Sequence, residues 1–127
     1  MKIATWNINS VRLRLHQVLK FIKDKKIDLL CLQETKTQNQ FFPSEDFTKI
    51  GMKYQYYRGE KSYNGVAILS NTKFTDMSYI NYCKKGDARN ICVKLKNDIE
   101  IHNFYVPAGG DEPDVSVNTK FEHKIAF

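Results

Sequence analysis

Apolar positions recur along this chain with two periods, and each period marks a different kind of element. Val11, Leu15, Val18, Leu19 and Ile22 stand at i, i+4, i+7, i+8 and i+11, the spacing of one face of an α-helix. Ser10 just before them is a good N-cap residue type. Lys23, Lys25 and Lys26 gather at the far end, where the helix dipole favours cations. Ahead of this helix, KIATWNI (2–8) is short and rich in β-formers. Behind it, Ile27–Gln33 is apolar at almost every position, the pattern of a strand covered on both faces. Strand, helix and strand with short joints predict a βαβ unit with a parallel pair.

From residue 41 the pattern changes. FFPSEDFTKIG predicts a short helix with Pro43 in its first turn and Gly51 just past its end. KYQYYR, GVAILS, NICVKLK and IEIHNFYV are short and β-prone. Ile91, Val93 and Leu95 alternate with Cys92, Lys94 and Lys96, and Asn97-Asp98 predicts a hairpin turn into 99–106. The middle is therefore expected to be an antiparallel meander. PAGGDEPD (107–114) is a loop by composition. Asn118 is an N-cap candidate, and Phe121 and Ile125 lie four apart on one face, so a helix is expected over 118–127 with no stop signal. The whole reads as an α/β (α+β) fold. A mixed sheet followed by an unfinished helix implies that residues 1–127 form a single incomplete domain, the front part of a larger one.

Composition limits the partners. The chain has 127 residues, 42% hydrophobic and 27% charged, the profile of one globular domain rather than of a disordered chain. Its net charge of +6, from 20 basic and 14 acidic residues, favours an anionic partner such as nucleic acid. On charge alone, a lysine-rich solvated surface is the better explanation. Cysteines at 31, 83 and 92 are odd in number and form no CxxC. They argue against a disulfide framework or a zinc site and for reduced thiols inside the cell. MKIATWNINS lacks a signal-peptide core, and no apolar run reaches membrane-span length. A cytoplasmic location with no membrane partner is expected.

Candidate chemistry sits where strands end, the usual place for functional side chains in sheets layered with helices. The first strand ends at Asn7 and Asn9, the second at Glu34, and the last at Asn103 and Tyr105. A carboxylate and an amide oxygen are hard ligands that suit Mg²⁺ or Mn²⁺ better than zinc. A phenol can hydrogen-bond a phosphate oxygen. Together they suit metal-assisted phosphoester hydrolysis. Each residue has a plainer reading. Glu34 alone reads as a surface partner for Lys36, Asn7 as a turn residue and Tyr105 as one strand tyrosine among seven. His16, His102 and His123 are scattered, and no P-loop, GxSxG or HExxH motif competes.

Taken together, MKIATWNINSVRLRLHQVLKFIK, DLLCLQETK, YNGVAILS, GDARNICVKL and NFYVPAGGDEPD resemble the N-terminal half of the exonuclease III family of DNA-repair nucleases, the abasic-site endonucleases. The blocks occur in the family's order and span essentially the whole chain. The resemblance implies a four-layer α/β sandwich of two mixed sheets with helices outside. It implies cleavage of double-stranded DNA 5′ to abasic sites, removal of nucleotides from 3′ ends, and a divalent metal, Mg²⁺ or alternatively Mn²⁺. By the same resemblance Glu34 of LQET is the metal-binding carboxylate, with Asn7 of WNIN beside it as ligand or orienter. Tyr105 of NFYVP is the phenol at the scissile phosphate. Arg12, Lys36 and Arg89 lie near the DNA backbone.

The family continues with a GDxN block and ends with an SDH block, which supply the catalytic aspartate and an aspartate–histidine pair. Here Gly-Asp at 86–87 and 110–111 is not followed by that pattern, and no Asp-His dipeptide occurs. Residues 1–127 by themselves are therefore expected to lack the base that activates water and to need a complementary C-terminal fragment. The alternatives are a catalytically inactive remnant or split-gene fragment, or another metal-dependent phosphohydrolase of the same superfamily. A simple basic binding module leaves the QET block unexplained.

Overall fold

The computed structural model describes residues 1–80, 86–109 and 119–126, the last without the side chains of residues 119, 121, 122 and 126. β1 (Ile3–Asn7), α1 (Leu15–Lys25) and β2 (Leu29–Gln33) form the expected βαβ unit, with β1 and β2 parallel and Thr5 opposite Cys31. β4 (Val66–Ser70) lies antiparallel on the other side of β2, and β3 (Tyr54–Arg58) closes a four-stranded sheet in the order β1-β2-β4-β3. β5 (Phe74–Ser78), β6 (Asn90–Leu95) and β7 (Glu100–Phe104) form a second, antiparallel sheet.

The apolar run of β2 is buried because both of its faces are covered. Leu30 and Leu32 point with Ala67 and Leu69 of β4 into one cluster. Val18 and Ile22 of α1 and Phe47 of α2 (Ser44–Lys49) complete that layer. Leu29 and Cys31 point the other way with Val66 and Ile68, against Ile91, Val93 and Leu95 of the second sheet. The alternation along each strand thus splits its side chains between a helix–sheet core and a sheet–sheet core. Burial pushes the Cys31 thiol up to about 11, so it packs as an inert apolar group.

The last turn of α1 ends at Lys26, which takes a left-handed φ of 52°, and Ile27 N–H reaches back to Ile22 O at 3.1 Å. This is the closing geometry that glycine usually supplies. Gly51, at φ 96°, does end the α2 segment as expected. Asp98, at φ 64°, turns the chain between β6 and β7.

Two expectations need correction, and one strand goes unread in the sequence. α1 begins at Leu15 and not directly after Ser10. Asn9 and Ser10 take φ of 46° and 86°, and the amides of Ser10 and Val11 donate to Glu34 O and Thr35 O at 2.8 and 3.1 Å. The backbone is still paired with the segment after β2, so it cannot yet coil. Ser10 Oγ instead accepts from Leu13 N–H at 3.3 Å, capping the turn that precedes the helix. The middle is also not one continuous meander: β3 and β4 join the βαβ unit, and only β5–β7 form a meander of their own. The reason is burial, since β4 is covered at every position and can only be an interior strand of the first sheet. The unread strand is β5, which carried no readable signal because FTDMS is mostly exposed and lacks strict alternation. The N-cap assigned to Asn118 lies outside the described residues. The helix there, α3, spans Thr119–Ala126.

Candidate active site

β2 delivers Glu34 to the end of the first sheet, held in register by β1 on one side and β4 on the other. Immediately after the strand the backbone turns left-handed at Glu34 and again at Lys36, with φ of 54° and 53°. Such a conformation costs non-glycine residues about 1–3 kcal/mol each and persists where the surroundings impose it. It swings the Glu34 carboxylate toward the ends of β1 and β7. Asn7 Nδ2, from the last residue of β1, donates to Glu34 Oε1 at 3.1 Å. Tyr105 Oη, from just past β7, donates to the same oxygen at 2.7 Å. Lys36 Nζ stands 3.4 Å from Glu34 Oε2 and donates to Asn9 Oδ1 at 2.6 Å. Three strand ends therefore converge on one carboxylate.

Burial pushes the Glu34 carboxyl up. Hydrogen bonds from Tyr105, Asn7 and Lys36 and the charge of Lys36 outweigh that, and the net shift is downward from its usual 4.5. Tyr105 moves up, first by burial and then by its bond to the Glu34 anion, against the opposing charge of Arg89. The carboxylate is thus ionised at neutral pH and the phenol keeps its proton to donate. A group held below its usual pKa stabilises the fold above that usual value and loses the contribution as pH falls through the folded value. Acidification below about pH 5 should therefore lower the melting temperature of the wild type more than that of Glu34→Gln. Parallel melting profiles from pH 7 to pH 3 would contradict this assignment.

The loop 59–65 clamps the segment after β2. Thr35 N–H donates to Gly65 O and Lys36 N–H to Asn64 O, at 3.2 and 2.9 Å. Gly65 has φ 93°, and a Cβ there would fall 2.1 Å from the buried Thr35 Oγ1. Gly65→Ala should accordingly cost about 3 kcal/mol, from left-handed strain plus overpacking. Urea unfolding reads it, and a variant as stable as the wild type would remove the clamp from this account.

The other sequence candidates separate. Arg12 and Lys36 line one cleft of about 200 Å³ with Thr37, Gln38, Phe41 and Lys61, and the Arg12 guanidinium sits over the Phe41 ring at 5.7 Å. Lys61 was missed because a single lysine in a polar loop carries no pattern. Arg89 lies elsewhere: its side chain is 11% exposed, is paired to Asp87, and stacks on Tyr105 at 4.7 Å. Asn103, expected among the polar strand ends, is buried between the sheets. Its Nδ2 donates to Leu32 O and Ala67 O, each at 2.9 Å, and its Oδ1 accepts from Gln33 Nε2 at 2.7 Å.

Helices backing one sheet, a second sheet packed on its other face, and a hydrogen-bonded acidic centre at the strand ends define the class of this protein. The chain belongs to the Endonuclease/Exonuclease/phosphatase family, which it matches over residues 4–119. It is 36% identical over 132 residues to exodeoxyribonuclease III of Haemophilus influenzae, covering 100% of this chain and 48% of that protein. It is 32% identical to an exodeoxyribonuclease of Bacillus subtilis, covering 84% of this chain and 43% of that protein. An AP endonuclease structure from Archaeoglobus fulgidus superposes with a TM-score of 0.86 at 39% identity, over 98% of this chain and 47% of that one. A 3′ phosphatase from Neisseria bound to a product DNA hairpin superposes at 0.80 and 32% identity, with the same coverage of 98% and 47%. The chain thus spans about half the length of the relatives it matches. No helix among the described residues is long and apolar enough to cross a membrane.

Proposed function

We propose that this chain supplies the front part of a metal-dependent DNA-repair phosphodiesterase of exonuclease III type. The observation that carries the reading is the convergence of Asn7, Lys36 and Tyr105 on the single carboxylate of Glu34. An ionised carboxylate is a hard oxygen ligand, and its partners among the described residues are an amide, a phenol and an ammonium. Among the described residues no group of three or more His, Cys, Asp or Glu could hold a metal as a closed cage. One carboxylate fits Mg²⁺, or Mn²⁺ in its place, because Mg²⁺ keeps most of its waters and takes its remaining oxygens from a phosphate substrate.

When bound, the metal would polarise the phosphate and lower the pKa of a coordinated water. The chain's own residues do the positioning. Asn7 orients the Glu34 carboxylate by donating to Oε1, which leaves Oε2 turned toward Lys36. Tyr105 presents a protonated phenol whose single O–H, given to Glu34 Oε1 here, would turn to donate to a phosphate oxygen at the same place. Arg12 and Lys36 in their shared cleft would engage the backbone of double-stranded DNA carrying an abasic site or a 3′ end. Lys61 lines that cleft too and would add a third cation. Arg89 would reach DNA only beside Tyr105.

Metal and DNA binding test the reading separately. Mg²⁺ titration followed by amide NMR should shift residues 7 and 33–36, and Glu34→Gln should abolish those shifts. Duplex binding should weaken with salt, and Lys36→Ala or Arg12→Ala should each lower the slope of log K against log salt by about 0.9. Unchanged slopes in both variants would remove the cleft from the DNA path.

A further inference from the structure

Residues 87–89 touch both Tyr105 and the loop behind Lys36 without carrying the site's carboxylate. Ala88 N–H donates to Glu60 Oε2 at 2.7 Å, and Ala88 O accepts from Gly65 N–H at 2.9 Å. The segment therefore holds the loop that in turn holds Thr35 and Lys36. Arg89 O accepts from Tyr105 N–H at 2.7 Å, and Arg89 Nη1 donates to Tyr105 O at 3.4 Å. The guanidinium covers one face of the Tyr105 ring, and its Nε donates to Asp87 Oδ2 at 3.0 Å. That same oxygen lies 3.6 Å from His123 Nε2 on α3. The side chains of Asp87, Arg89 and His123 are only 18%, 11% and 11% exposed. A contact so enclosed is weakly screened by salt and costly to break from one side.

The arrangement has a direction. Arginine keeps its charge at any working pH, and its planar fork needs an acceptor to fix its rotation. Asp87 is that acceptor. With Asp87 in place the guanidinium lies flat on the ring. Without it Nε–H loses its partner, and the long Nη1 bond to Tyr105 O holds the side chain to the ring less firmly. His123 reaches Asp87 from another element, so the carboxylate is shared between the brace and the helix. A cavity of about 430 Å³ lies between them, lined by Tyr63, Arg89, Tyr105, Pro107, Lys120 and His123 among others. The seating of α3 thus sets both the far wall of that cavity and the partner that fixes Arg89.

We propose that Asp87 is a positioning residue that holds Arg89 against the Tyr105 ring and, by sharing its carboxylate with His123, makes the setting of Tyr105 depend on how α3 is docked. This deepens the function proposed above and rests on it for the role of Tyr105. The brace itself is read without DNA or metal, so the two can fail independently. In the full chain labelled at arginine Nε and at the tyrosine rings, Asp87→Ala should speed solvent exchange of the Arg89 Nε–H by about tenfold or more. It should also shift the Tyr105 ring resonances. His123→Ala should shift the same Tyr105 resonances, and the effects of the two changes on those resonances should be non-additive in the double variant, because both residues meet at one carboxylate. Asp87→Asn, which keeps an acceptor oxygen, should recover most of the slow exchange. A folded Asp87→Ala with wild-type Arg89 exchange and Tyr105 signals overturns the proposal. If Asp87→Ala does not fold, His123→Ala decides: Tyr105 resonances that move support the coupling, and unmoved ones overturn it. A failed nuclease reading would look different, with the brace intact and no Mg²⁺-induced shift at Glu34.

Discussion

Purified residues 1–127 should leave an abasic-site duplex uncut in Mg²⁺, and a polypeptide supplying the remainder of a relative should raise cutting by about a thousandfold or more. The expectation follows from what the site contains. Glu34, Asn7, Tyr105 and Lys36 meet at one carboxylate, and in the function proposed above they hold a metal and orient a phosphate. None of them is a free base. Glu34 is tied up by three donors, and Tyr105 keeps its proton. A positioned general base alone contributes about 10²–10⁴ in rate. The aspartate that the resemblance assigns to that task is not among these residues. The described sheets offer a place where added strands could pair. β1 is an edge of the first sheet and β7 an edge of the second. Between them runs a groove of about 410 Å³ lined by Ile3, Thr5, Cys31, Ile101 and Phe104 among others. Ile3 and Phe104 are 48% and 41% exposed there. Open edges beside apolar side chains are templates for added strands. The part of the Haemophilus influenzae relative beyond the match is a concrete probe. Incision by residues 1–127 alone, abolished by EDTA and by Glu34→Ala, would overturn the expectation.

The second large effect concerns stability. Asn103→Ala should cost about 3 kcal/mol or more, read by urea or thermal unfolding. Its amide is 2% exposed and makes three hydrogen bonds, two of them to carbonyls of β2 and β4 in the other sheet. Truncation leaves Leu32 O and Ala67 O without this buried donor, and it frees Gln33, which also bonds Thr5 Oγ1 at 2.9 Å. Each buried group stripped of its partner costs about 1–3 kcal/mol. Because Gln33 precedes Glu34, the variant should also broaden the amide signals of 33–36. A loss below about 1 kcal/mol would mean that the sheets hold together by apolar contact alone.

The elements that were easy to read share a local cause. The stripe from Val11 to Ile22 and the run in β2 each bury a face that their own periodicity announces. Glu34 and Tyr105 were readable as polar groups at strand ends, and the order of motif blocks tied them to a family. Arg89 shows what that reading left out. The resemblance places it near DNA, and the structure adds that its guanidinium pairs with Asp87 and lies on the face of Tyr105. Asp87 lies only two residues away, but the Tyr105 ring and the α3 histidine that also meets Asp87 come from other elements, which spacing along the chain does not bring together.

Local spacing in the sequence was enough to show three helices, most strands, the βαβ start and the carboxylate at the end of β2, because these depend on residues a few positions apart. Only the tertiary structure decided which strands share a sheet, since β4 joins the first sheet and β5 the second across a three-residue link. It also decided that Asn103 is a tie between sheets, that Asn9, Ser10 and Glu34 turn left-handed, and that Asp87 stands between α3 and Tyr105. The physical reason is common to all three. Burial of a polar side chain, strain in a backbone and sharing of one carboxylate are settled by neighbours brought from far along the chain. Local preference there is weak beside the free energy of satisfying every buried hydrogen-bonding group.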